Sequence, residues 1–254
     1  MNKQAYIEQI KKYIKELPLA PLDSSQPFVY NPKASAFAAG EEGAAVDAGS
    51  LVSFVSGLTV LHKSDVLNST LLAQLAASKA FDRFKQTRDW YGKYCEVLAQ
   101  VGWVVPTFAY REYSPSGDSL QLSDAVLDIL SAIATGDEMK IVQATLTSLR
   151  DKPGNTGPLT LFENQSFPEN VGTFQILPVG EDDGQLVMVL TALEFKSEKH
   201  VTRFLWFSWT RTTVKLFQSA QKSVLNEDVY KQVRQEVIDK LGDRASQYIK
   251  DLEI

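Results

Sequence analysis

Six large aromatic residues, Phe195, Phe204, Trp206, Phe207, Trp209 and Phe217, interleave with Lys199, Arg203, Arg211 and Lys215 in one short stretch of the chain. Aromatic rings beside bases on strands can stack unpaired nucleobases over phosphate contacts. They can equally seat at a lipid headgroup boundary, where tryptophan is favoured and lysine or arginine meets anionic lipid. Or the rings fill a sheet–helix core while the bases simply solvate. No RNP-type glycine–aromatic motif accompanies them, which places nucleic acid last. Arg203, Trp206, Trp209, Arg211 and Lys215 are therefore the candidate residues for contact with a membrane or a partner. If they lie on one strand, alternation sets Arg203 with Trp209 on one face and Trp206 with Thr210 on the other. One tryptophan is then contact and the other core.

No other constellation carries chemistry. The two histidines, His62 and His200, lack His-x3-His or His-Glu-x-x-His spacing, so no metal site of standard first-row type is expected. A nucleophile elbow, a phosphate loop and a dinucleotide fingerprint are all missing, so no cofactor is expected either. Asp182-Asp183-Gly184 reads as hairpin chemistry rather than an acid–base pair. The balance is against catalysis, with a hydrolase using an unrecognised carboxylate site kept as the lesser alternative. Cys95 is the single cysteine, which excludes an internal disulfide framework. It reads as a structural thiol, with a reactive or lipidated thiol as the alternative reading. Asn68-Ser-Thr70 and Asn164-Gln-Ser166 match glycosylation sequons, and are taken as chance matches because no leader precedes them.

The elements that must position the aromatic stretch lie around it. Val171–Pro178, Gln185–Phe195, Val201–Trp209 and Thr212–Gln221 read as four strands of an antiparallel meander. They are apolar on both faces, so something besides one core must cover the second: a helix, another subunit, a lipophilic ligand or a membrane. Upstream, helical periodicity covers residues 3–16, a helix capped at Ser64 or Asp65 through Ala76, and roughly Phe81 to Val101. Two more carry Val126–Ile133 and Ile141–Leu149, while Phe37–Gly57 fits either a buried helix or a strand. Residues 18–32, with Pro18, Pro21, Pro27 and Pro32, read as an extended strap on the surface. Asp151–Pro158 is the clearest boundary. A last helix, capped by Asn226, carries Val229, Val233, Val237 and Leu241, whose stripe should lie across one sheet face. The fold class expected is α+β: a helical N-terminal half (1–150), a linker (151–158), then a four-stranded meander and C-terminal helix (159–254), as one domain.

At 254 residues, with 44% hydrophobic and 22% charged residues, the composition is that of a globular protein. The net charge of −5 argues against general affinity for nucleic acid or anionic membrane. Yet between Gln185 and Leu225 six bases face two acids, a local excess of +4. No signal core or membrane-spanning run is legible, so a cytoplasmic origin is expected, with non-classical export open. Ser64–Ala77, Trp90-Tyr91 with Val101-Gly-Trp-Val104, Phe204-Leu-Trp-Phe-Ser208 and Leu225–Tyr230 resemble an uncharacterised family of about 250 residues in bacteria and some fungi. The resemblance implies a self-standing fold and no activity. The leading expectation is a non-catalytic protein acting by apolar association, through self-assembly as a homo-oligomer or through toxin-like contact with a membrane. The competing expectation is a carrier of a small lipophilic ligand between sheet and helices.

Overall fold

The computed structural model describes residues 2–21, 39–115, 117–151, 157–198, 201–210, 212–252 and 254. Most of the expected strap, the core of the expected linker, and Lys199, His200 and Arg211 lie outside the described residues. The first helix, α1 (Lys3–Glu16), starts where the Asn2 side chain accepts from the Ala5 N–H, and buries Ile7, Ile10 and Ile14. Next comes a hairpin, β1 (Gly43–Asp47) and β2 (Ser50–Phe54), every residue of which is buried. This settles Phe37–Gly57 as strand rather than helix over Gly43–Asp47 and Ser50–Phe54. The turn uses Ala48 at φ 47° followed by Gly49. Helix α2 (Val60–Ala80) begins earlier than expected, because Thr59 rather than Ser64 or Asp65 caps it through the His62 N–H. It is buried on nearly every side, as a central helix must be. Helix α3 (Thr87–Gln100) follows, ended by Gly102 at φ 115°.

Short strands β3 (Trp103–Val104), β4 (Arg111–Tyr113) and β5 (Ser119–Leu120) precede helices α4 (Leu122–Ser131), α5 (Gly136–Asp151) and α6 (Gly157–Ser166). Two long strands, β6 (Val171–Asp182) and β7 (Gln185–Ser197), meet at Asp183-Gly184, both with positive φ, as a two-residue hairpin turn requires. After β8 (Trp209–Thr210) come β9 (Val214–Leu225), α7 (Glu227–Leu241), α8 (Arg244–Tyr248) and β10 (Ile249–Leu252).

These elements make a mixed α+β fold around a sheet of order β10-β1-β2-β6-β7-β9-β3, with β4 also on β9. Only β2 and β6 pair in parallel; the other neighbours are antiparallel. Register and side-chain alternation sort the residues onto two faces. Asp47, Ser50, Gln175, Ala192 and Ser219 share one face with α2 and α3 over it. Ser53, Phe174, Leu193 and Phe195 share the other, beneath α5 and α6. The second apolar face is therefore covered by this chain's own helices.

Three expectations need correction. The meander has three long strands, β6, β7 and β9, not four: Val201–Ser208 is a succession of turns, and only Trp209–Thr210 is extended, pairing with β5. Adjacent Phe204 and Leu205 are both buried, and Arg203 sits at φ 56°; a strand allows neither on a one-sided surface. Helix α7 packs on α1 and α2, burying Tyr230, Val233, Val237 and Leu241 there instead of on the sheet. The N-terminal part is not purely helical, since β1 and β2 sit inside the main sheet and the C-terminal β10 pairs with β1.

Candidate functional site

The turns between β7 and β8 hold Arg203 and Trp206, with Trp209 in β8 and Lys215 in β9, and packing divides the four. Trp209 is core, 1% exposed: its Nε1 donates to the Phe204 carbonyl at 3.3 Å, and its ring lies 5.9 Å from Phe195 and 4.8 Å from Phe207. Phe204, 1% exposed, is the hub of the same cluster, with Phe162, Phe167, Phe174 and Phe195 at 5.3–5.7 Å. Ring pairs at such spacing stabilise beyond their area alone. Trp209 is thus removed from the contact set.

Trp206 sits on the outside of this cluster, partly exposed. The Arg203 guanidinium lies 5.5 Å from its ring centroid, within cation–π range. A turn closed by the Trp206 N–H on the Arg203 carbonyl, 3.0 Å, keeps the two together. Arg203 is also anchored inward: its backbone N–H donates to the Glu163 carboxylate, and its guanidinium donates to the Arg150 carbonyl. That carbonyl belongs to the last turn of α5, where a cation is favoured by the helix dipole. Arg203 therefore holds the turn against α5 and α6 while its planar head supports the tryptophan. Lys215 is exposed on β9 directly opposite Lys196 of β7. Arg211 lies outside the described residues.

Beneath the other sheet face is a buried polar network that periodicity did not reveal. Asp47, fully buried, accepts from Thr70 Oγ1 at 2.6 Å and Gln74 Nε2 at 3.3 Å. Arg83, 7% exposed, donates to Gln74 Oε1 (3.3 Å), the Gly49 carbonyl (3.3 Å) and Gln175 Oε1 (2.8 Å), and lies 4.4 Å from the Trp90 ring centroid. Burial pushes Asp47 up to about 7, against the pull of Thr70, Arg83 and Gln74. The same burial brings Arg83 down to about 10, so it stays charged at neutral pH. A side chain at Gly49 would collide with this guanidinium, which explains glycine in the β1–β2 turn. The network ties hairpin, α2, the α2–α3 turn and β6 together inside the core. The available signal was the i, i+4 pair Thr70 and Gln74 beside Val66, Leu67, Leu71, Leu72 and Leu75 in α2.

Elsewhere, Asp65 of α2 and Arg234 of α7 form a bidentate pair, both contacts 2.7 Å, with Asp65 almost wholly buried. Cys95 is buried in α3, and burial pushes its thiol up to about 12, leaving it protonated at neutral pH. This is the environment of a structural thiol. Among the described residues no group of three or more His, Cys, Asp or Glu could hold a metal ion. Nor is any described helix long and apolar enough to cross a membrane.

No family model matches the chain, and no curated protein is similar to it. Among solved structures, a delta-endotoxin aligns at 10% identity with a TM-score of 0.43, covering 82% of this chain and 89% of the other. The Evf virulence factor aligns at 11% identity, TM-score 0.37, covering 94% and 89%. Activated Cyt2Ba monomer of Bacillus thuringiensis subsp. israelensis aligns at 10% identity, TM-score 0.30, covering 54% and 78%.

Proposed function

We propose that this chain is a non-catalytic protein that acts by contact with a membrane surface, in a toxin-like manner, through Trp206 and the Arg203 beside it. The observation that carries this reading is the division of the two tryptophans. Trp209 closes the aromatic cluster, whereas Trp206 stands outside it, partly exposed and supported by Arg203. An amphipathic ring with one face wet and an arginine beside it suits the headgroup layer, where tryptophan is enriched. Arg203 adds charge on this face that attracts anionic lipid, at about 1 kcal/mol per residue close to the surface.

Contact in this conformation is peripheral. Strands β6, β7 and β9 have 12, 13 and 12 residues, each more than the roughly ten that a tilted transmembrane strand needs. β6 and β7 are buried along most of their length, so lipid cannot reach them unless a helical layer moves, whereas β9 is partly exposed. Flotation with phosphatidylcholine vesicles, with and without phosphatidylserine, tests the reading. Co-flotation with the anionic vesicles that weakens with salt is expected. Indifference to both vesicle types would reject it, and extractable lipid in the purified protein would then point to a carrier.

A further inference from the structure

We propose that the pocket where the α2–α3 turn meets the ends of β7 and β9 is a binding site for a phosphate ester. It lies across the sheet from Trp206, because Lys196 and Phe217 point to the face opposite Phe195. It encloses about 310 Å³ and is lined by Phe84, Lys85, Arg88, Lys196 and Phe217, with Asp89 and Glu194 as its acids. The volume is at the low end for small-molecule sites, which suits a headgroup-sized ligand.

Two features set this pocket apart from an ordinary solvated edge. Lys196 and Lys215 are direct cross-strand partners, and like charges so placed are unfavourable to the sheet. Glu194 pairs with Lys196 at 3.3 Å and offsets part of that repulsion. Lys85 pairs with Asp82 at 3.5 Å, across exposed side chains that water screens. Arg88 and Lys215 make no ion pair among the described residues. Lys215 is not part of the pocket lining but is the cross-strand partner of Lys196, and a dianion held between Arg88 and Lys196 with Lys215 beside it would turn a repulsive set into a bridged one. Arg88 supplies the planar donor fork that phosphate oxygens accept, and the lysines supply point charge. Phe84 and Phe217 give the pocket apolar walls against which a glycerol or acyl stem can lie. The inference extends the membrane reading by naming the headgroup chemistry, yet its first test uses no vesicles, so the two fail separately.

The probe is inorganic phosphate, titrated into 15N-labelled protein at constant ionic strength. Saturable shifts in the amides of Thr87, Arg88, Lys196 and Phe217 are expected. The double variant Arg88→Gln, Lys215→Gln should bind about tenfold more weakly while its spectrum stays folded. Trp206→Ala should leave the titration unchanged. Shifts that do not saturate, that chloride reproduces, or that survive the double variant would mean a diffuse ion atmosphere and overturn the site. Glycerol 3-phosphate and phosphatidic acid vesicles then separate the sources. Preference for phosphatidic acid over phosphatidylcholine, lost in the double variant, identifies a lipid headgroup. Saturable binding of the soluble ester alone supports the site and detaches it from the membrane.

Discussion

Asp47→Asn tests the packing of the β1–β2 hairpin on α2 through a pH dependence of defined sign. The carboxyl is fully buried, with Thr70 and Gln74 serving one oxygen while the other has no partner. Its ionisation lies near 7 in the fold, against 3.8 for an ordinary aspartate. For an acid raised on folding, the folded state holds the extra proton between these two values. Stability therefore falls as pH climbs through that window and levels off above about 7. From about pH 5 to about pH 8, roughly two units of the window remain, which at about 1.4 kcal/mol per unit gives roughly 3 kcal/mol. Asparagine keeps the shape and cannot ionise, so the stability of Asp47→Asn relative to the parent should rise by about 2–3 kcal/mol over that range. Urea unfolding of both proteins at the two pH values reads this directly, provided the m-values agree. A difference that stays flat with pH, or falls, would mean that Asp47 is already ionised in the fold at low pH, and the burial argument would be refuted.

Other outcomes follow from the same packing. Trp209→Ala should cost about 3–5 kcal/mol, since it opens a hole between Phe195, Phe204 and Phe207, whereas Trp206→Ala should cost under about 1 kcal/mol; equal large losses in thermal melts would make the whole patch core. Arg234→Ala strands the buried Asp65 carboxylate and should cost about 3 kcal/mol, while Asp65→Leu combined with Arg234→Met should recover most of it by chemical denaturation; a double variant as weak as the single would show that the charges themselves hold α7 on α2. Cys95 should resist iodoacetamide near neutral pH until the protein unfolds, and rapid labelling of the native protein would contradict its burial.

Turn and cap signals in the sequence mostly held, although α2 is capped by Thr59 rather than Ser64 or Asp65, while non-local pairing left no trace. Asp183-Gly184 between alternating apolar runs announced the β6–β7 hairpin, and Asn226 announced the start of α7 through its own side chain. Phe204-Leu-Trp-Phe gave no such guidance. With every position apolar, alternation carries no information, and the segment is turned because the rings converge on a single cluster. The pairing of β1 with β10 joins residues some two hundred positions apart and leaves no mark in either short run. That Trp209 rather than Trp206 is core could not be read before the turn at Arg203 was known. The Asp47–Arg83 network was hidden because its members are scattered over four elements and only the fold assembles them.

The contact itself is open to a direct measurement. Of the four tryptophans, Trp90, Trp103 and Trp209 are at most 2% exposed, and Trp206 alone stands outside. Fluorescence quenching by brominated lipids in anionic vesicles should be substantial for the parent and nearly absent for Trp206→Phe, with shallow-labelled lipids quenching more than deep-labelled ones. Equal quenching of the two proteins, or none in either, would contradict the assignment of Trp206 as the membrane contact.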